Sequence, residues 1–172
     1  IVRRGVRFVG RTFIAGEGIV QSERALAGLE RQGKSFTIDQ LGELVLTEAE
    51  ANRYLQRVLD TIEYLGTRAE AGRLNQAGIP LAHVSIKVSA LSSFCSGDDP
   101  EESYRRIAPR LKRVLEFARD RGVFINADAE HYPTRDLIPE ILFRVLAEHP
   151  ALRRTDAPLV GVVLQAYLKD AL

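Results

Sequence analysis

From residue 35 onward the chain alternates between two hydrophobic rhythms. Short runs at 35–41, 83–90, 123–129 and 160–167 switch between apolar and polar residues at every second position. That is the period of a β-strand, and the later runs are rich in Val and Ile. Longer stretches between the runs repeat apolar residues every third or fourth position, as an amphipathic helix does.

Each helical stretch carries its own punctuation. Thr47-Glu48-Ala49-Glu50 has the capping-box form, and Ala51, Leu55, Val58, Leu59 and Ile62 follow with helical spacing. Asp98-Asp99-Pro100 opens the next helix, whose stripe is Ile107, Leu111, Val114, Leu115 and Ala118. Pro109 inside that stripe predicts a kink or a delayed first turn. Ile138, Ile141, Leu142, Val145 and Leu146 form the third helix, closed by His149-Pro150. Before all of these, Ile19, Ala25, Leu26 and Leu29 suggest a helix stopped by Gly33. Residues 66–82, with Gly72, Gly78 and Pro80, predict the end of the first barrel helix and a polar connector. The resulting order is a helical segment over 1–33, then β, α, β, α, β, α, β over 34–172. Strands alternating with helices imply right-handed crossovers and a parallel sheet.

The two faces of the strands differ. Val84, Ile86 and Val88 share one face, and His83, Ser85, Lys87 and Ser89 the other. Ile125, Ala127 and Ala129 likewise oppose Asn126, Asp128 and Glu130; Val162 and Leu164 oppose Val163, Gln165 and Tyr167. One face is apolar, as covering helices require. The other turns polar toward the C-terminal end, where β/α barrels place their active sites. No G-x-G-x-x-G turn follows the first run, which continues into Leu41-Gly42-Glu43. A parallel (β/α)8 barrel, of which about the first four β/α units are present, is therefore the expected fold. Asp39, Lys87, Asp128 and Gln165 would stand at four successive strand ends. A buried charge is costly unless paired or used, so Lys87 with Asp39 or Asp128 predicts either a structural ion pair or a site.

Composition narrows the function classes. A 45% hydrophobic content suits a globular core, and a net charge of +1 offers no case for nucleic-acid binding. Arg3, Arg4, Arg7 and Arg11 are expected on a solvated face. No apolar run approaches the roughly 20 residues of a membrane span. Cys95 is the single cysteine, and His83, His131 and His149 lack metal-ligand spacing, so no metal is expected. His131 is expected on a surface loop, Tyr167 at the barrel rim, and Glu43 either beside the site or in a loop. The chain contains no Met, and it begins and ends within what look like elements of a longer protein.

The strand motifs Ser35-Phe36-Thr37-Ile38-Asp39-Gln40-Leu41-Gly42-Glu43, Val84-Ser85-Ile86-Lys87-Val88-Ser89-Ala90-Leu91, Phe124-Ile125-Asn126-Ala127-Asp128-Ala129-Glu130 and Val162-Val163-Leu164-Gln165-Ala166-Tyr167-Leu168 resemble, in order, those of proline dehydrogenase. The flavin domain of bifunctional proline utilization A proteins belongs to the same family. The resemblance covers roughly residue 33 to the end. It implies an FAD-dependent barrel that oxidises L-proline to Δ1-pyrroline-5-carboxylate by hydride transfer to flavin N5. It also implies a quinone electron acceptor at the membrane, and a fused or associated Δ1-pyrroline-5-carboxylate dehydrogenase. A cytoplasmic location, peripheral to the inner membrane, follows from that acceptor.

By position in the motifs, Lys87 resembles the lysine that binds the proline carboxylate. Asp128 resembles the active-site aspartate that holds the lysine and neighbouring cations in place, and it is the catalytic candidate. Ala129 resembles the small residue that lets the flavin approach. Gln165 resembles the amide that hydrogen-bonds the flavin ring system, and Asp39 is expected to orient Lys87. The family's later strands and its last helix, with the paired arginines that clamp the carboxylate, have no counterpart here. Arg153-Arg154 precedes the fourth strand and is not that pair. The 172 residues alone are therefore expected not to turn over proline. Two other readings compete: a Schiff-base aldolase-type barrel using Lys87, and a non-catalytic half-barrel that packs on a partner.

Overall fold

The computed structural model describes residues 10, 14–16, 18–32, 34–40, 44–68, 72–74, 78, 80–129, 131–153 and 159–169. The chain divides into two compact units, Ile1–Phe36 and Thr37–Leu172. Arg3, Arg4, Arg7, Arg11, Gly33, Glu43, Glu130 and Arg154 lie outside the described residues. The first unit contains helix α1, Ile19–Arg31, the helix its apolar spacing predicts.

Four strands form one sheet in the order β1 (Phe36–Asp39), β2 (Ala82–Lys87), β3 (Phe124–Asp128) and β4 (Val160–Val162). β2 pairs parallel with β3, and β3 with β4. Helices α2 (Glu48–Gly66), α3 (Pro100–Arg119) and α4 (Leu137–Glu148) connect them. Each connection steps one strand in the same direction. Right-handed crossovers then place all three helices on one face. α2 packs on β2, α3 and α4 on β3, and successive helices on each other. Val84, Ile86, Ile125 and Ala127 are fully buried beneath them, together with Leu55, Val58, Ile62, Leu111, Val114, Ile141 and Val145 or nearly so. This layer supplies the core. Burying each large aliphatic side chain contributes about 1.5–3 kcal/mol before entropy is counted.

The predicted caps form. The Thr47 hydroxyl accepts the Glu50 N–H at 3.2 Å, and the Glu50 carboxylate accepts the Thr47 N–H at 3.0 Å. Asp99 accepts the Glu102 N–H at 3.0 Å, with Pro100 in the first turn. Pro109 does not delay α3, which starts at Pro100 and continues to Arg119. Pro109 faces solvent, where water can bond the carbonyl that its missing N–H leaves.

The strands are shorter than their alternation suggests. The run at 83–90 stops at Lys87 and coils into a 3-10 turn, Val88–Leu91. The run at 160–167 stops at Val162. The Val163 N–H makes one more bond, to the Ala127 carbonyl at 2.9 Å, and the chain then turns. Both endings share a cause. Lys87 is in register with Asp128, the last residue of β3, so continued strands would have no partner there. Gln165 therefore lies on the segment after β4, not within a strand.

The face away from the helices is layered by register. His83 is level with Phe124, Ser85 with Asn126, and Lys87 with Asp128. Gly161 is level with Asn126, and an added Cβ would come within 2.8 Å of the Phe124 ring and 3.2 Å of the Asn126 amide oxygen. Only a residue without a side chain leaves those two groups their space.

Candidate active site

Lys87 stands at the end of β2, and its side chain is only 3% exposed. Such an ammonium needs compensation, because burying an isolated charge costs several kcal/mol. Asp128, from the end of β3, makes a close ion pair and hydrogen bond with the Lys87 Nζ. Asp39, from the end of β1, lies 3.5 Å away. The two carboxylates differ in setting: Asp128 is mostly buried, whereas Asp39 is 48% exposed. Three successive strands thus converge on one cation, at the sheet end where the polar residues were expected.

Gln165 joins the same strip. Its side-chain Nε2 donates to the Ala129 carbonyl at 2.8 Å, and Ala129, next to Asp128 in sequence, is buried. The structure therefore links all five predicted residues in one run: Asp39, Lys87, Asp128, Ala129 and Gln165. The Lys87 Nζ is ion-paired to carboxylates from two neighbouring strands. That setting suits a group that holds an anion by charge, as the carboxylate-binding lysine of the resemblance does.

Other candidates stand apart. His131 is exposed, as a loop histidine. Tyr167 does not pack at a rim: it is 80% exposed, because the chain has already left the sheet. Burial pushes the Cys95 thiol up to about 11, which keeps it unreactive. Among the described residues no group of three His, Cys, Asp or Glu side chains could hold a metal. None of the described helices is long and apolar enough to cross a membrane.

A sequence profile of the proline dehydrogenase family matches residues 22–172. This chain belongs to the proline dehydrogenase family. The bifunctional protein PutA of Salmonella typhimurium is 32% identical over 98% of the chain, which spans 13% of that protein. Proline dehydrogenase of Deinococcus radiodurans is 28% identical over the whole chain, which spans 49% of it. The solved structure of proline utilization A from Bdellovibrio bacteriovorus, inactivated by N-propargylglycine, superposes with a TM-score of 0.87. It is 27% identical, over 99% of this chain and 18% of that one. The parallel sheet with its helices is thus the α/β arrangement of the proline dehydrogenase domain of PutA.

Sequence reasoning missed three residues that support the site of this proline dehydrogenase domain. Tyr54 sits on the α2 stripe, three residues after Ala51 and four before Val58. Its hydroxyl accepts the Lys87 N–H at 2.7 Å. A tyrosine among aliphatic stripe positions was the available signal, since a buried hydroxyl needs a partner. Glu48 and Arg110 hold the loop that follows Lys87. Glu48 accepts the Ser93 N–H at 2.9 Å and the Ser93 hydroxyl at 2.6 Å. Arg110, from α3, pairs with Glu48 at 2.7 Å and donates to the Leu91 carbonyl at 2.7 Å. Nothing local in the sequence joins these groups.

The Ser93 hydroxyl and N–H, assisted by Arg110, hold the Glu48 carboxyl at about 2, well below its usual value. A depressed carboxyl pKa stabilises the fold above the unfolded value, near 4.5, and that contribution is lost as pH falls toward 2. Glu48 is half exposed, so solvent screening limits the contribution to about 1 kcal/mol. Glu48→Gln should therefore lower stability at neutral pH and flatten the acid arm between pH 4.5 and 2. Urea melts across that range check this, and an acid arm with its slope unchanged would count against it.

Proposed function

We propose that this chain forms the lysine-bearing part of an FAD-dependent proline dehydrogenase that oxidises L-proline to Δ1-pyrroline-5-carboxylate. In this reading the four strands and their three connecting helices belong to a closed (β/α)8 barrel, following a helical segment over 1–33. The observation that carries it is the buried Lys87 ammonium, held by Asp128 and Asp39 where three strand ends meet.

Lys87 binds the substrate carboxylate through a charge-assisted hydrogen bond, strong because water is excluded around it. Asp128 fixes the ammonium's direction, and Asp39 does so from the more open side. One cation beside two carboxylates cannot neutralise a third. Further cations must approach the substrate carboxylate, the part that paired arginines play in the family. FAD, when bound, supplies the hydride acceptor at N5. The residues present fit one part of its ring system. Ala129 adds little bulk beside the cluster, and the Gln165 carboxamide, steadied on the Ala129 carbonyl, offers the donor and acceptor chemistry a flavin ring requires. A quinone at the membrane as electron acceptor, a peripheral cytoplasmic location and a linked Δ1-pyrroline-5-carboxylate dehydrogenase complete the proposal.

The test is spectroscopic. L-proline added without oxygen to the flavin-loaded protein that carries this chain within the closed barrel should bleach its visible flavin absorbance, and D-proline should not. An unchanged spectrum with L-proline would overturn the reading.

A further inference from the structure

We propose that Tyr54 is a positioning residue for Lys87: by accepting the Lys87 N–H, its buried hydroxyl sets where the ammonium stands between Asp39 and Asp128. The inference rests on the reading of Lys87 as the carboxylate-binding group. It adds a residue that touches neither substrate nor cofactor and acts only through the lysine.

Tyr54 is 1% exposed, so its ring is part of the core. Its oxygen meets the Lys87 N–H at 2.7 Å, at the point where β2 ends. Beyond Lys87 the chain turns into the 3-10 segment Val88–Leu91, and β3 ends at its partner Asp128. The backbone at Lys87 thus sits where the sheet ceases to hold it, and the tyrosine supplies an anchor there. The lysine stem has four carbons, so a small tilt at Cα moves the ammonium appreciably. Displacements of about 1 Å at a binding group are enough to weaken a site strongly.

A second contact points the same way. Gln40, next to Asp39, donates through Nε2 to the Arg57 carbonyl at 3.1 Å and to the Thr61 hydroxyl. Both partners are on α2, one and two turns beyond Tyr54. A single helix therefore grips the ends of β1 and β2, the two strands carrying Asp39 and Lys87. Burial pushes the Tyr54 phenol up to about 12, so it stays neutral and keeps this role across the working pH range.

Tyr54→Phe removes one oxygen and preserves the ring. In the flavin-loaded protein that carries this chain within the closed barrel we expect the KM for L-proline to rise about 5- to 20-fold, with kcat within about twofold. In amide hydrogen exchange on the same flavin-loaded protein, the Lys87 amide should exchange at least about tenfold faster relative to the Ile125 amide in β3. An unchanged KM overturns the proposal, even if the Lys87 amide exchanges faster, because the bond would then be structural only. A uniform rise at Lys87 and Ile125 overturns it too, since the loss would be global. Lys87→Ala measured alongside separates the two ideas. If that variant leaves KM unchanged, the carboxylate reading fails. If it raises KM steeply while Tyr54→Phe does not, only the positioning role fails.

Discussion

In the protein that carries this chain within the closed barrel, Lys87→Ala should raise the KM for L-proline by roughly 100-fold or more while leaving FAD content per chain almost unchanged. Removing one partner of a desolvated, hydrogen-bonded charge pair costs about 2–5 kcal/mol, and each 1.4 kcal/mol is about tenfold in affinity. Lys87 is the cation that meets the carboxylates of the strand-end cluster. The flavin contacts proposed for Ala129 and Gln165 do not pass through it. The variant should also fold. Asp39 is half exposed and Asp128 keeps some access to water, so both carboxylates can be rehydrated when the ammonium is gone. Steady-state kinetics with flavin quantitation after denaturation checks the split. A KM within about threefold of the parent value would remove Lys87 from the substrate site.

Asp128→Ala is expected to act in the opposite sense, chiefly on stability. It takes the close carboxylate from the nearly inaccessible Lys87 ammonium and leaves the half-exposed Asp39 at 3.5 Å. Uncompensated buried charges cost about 3–5 kcal/mol, and the residual Asp39 contact places this case at about 3 kcal/mol. For a chain of this size that corresponds to a melting temperature lower by roughly 6–12 °C. The double variant Lys87→Met/Asp128→Leu should recover most of the loss, because it removes both charges and keeps the volume. The same variant should bind no proline. If Asp128→Ala melts within a degree or two of the parent protein, the pair is not the buried electrostatic unit described above.

These two variants separate what the cluster does for the fold from what it does for the ligand. An ion pair retained only for stability would give a large loss for Asp128→Ala and little change in KM for Lys87→Ala. A binding site gives the stability loss for Asp128→Ala and a large rise in KM for Lys87→Ala. The same contrast bears on the polar strand ends: an apolar pair of equal volume would serve the core as well, so the cost of burying Lys87 points to use.

The legible part of this protein was its local part. Capping residues Thr47 and Asp99, the stripes of α2, α3 and α4, and the polar ends of the strands follow from spacings of two to four residues. Asp39, Lys87 and Asp128 could be nominated because strand alternation and the polarity of a β/α sheet put them at one end. Strand lengths were less legible. Alternation continues through Val88 and Val163, but a strand persists only while its neighbour offers bonding partners, and β3 stops at Asp128. For that reason alternation alone puts Gln165 in a strand, whereas it lies on the segment that follows β4.

The sequence by itself determined the order of elements, the apolar face beneath the helices and the lysine and carboxylates of the strand ends, because each is a short-range pattern. Only the tertiary structure decided which groups meet. It set Asp128 as the close partner of Lys87 and Asp39 as the distant one. It also tied the loop after Lys87 to Glu48 and Arg110, and the Lys87 backbone to Tyr54, 33 residues away. Those contacts depend on how far each strand runs and how α2 and α3 settle on the sheet. Both are fixed by packing among residues remote in sequence, which periodicity does not encode.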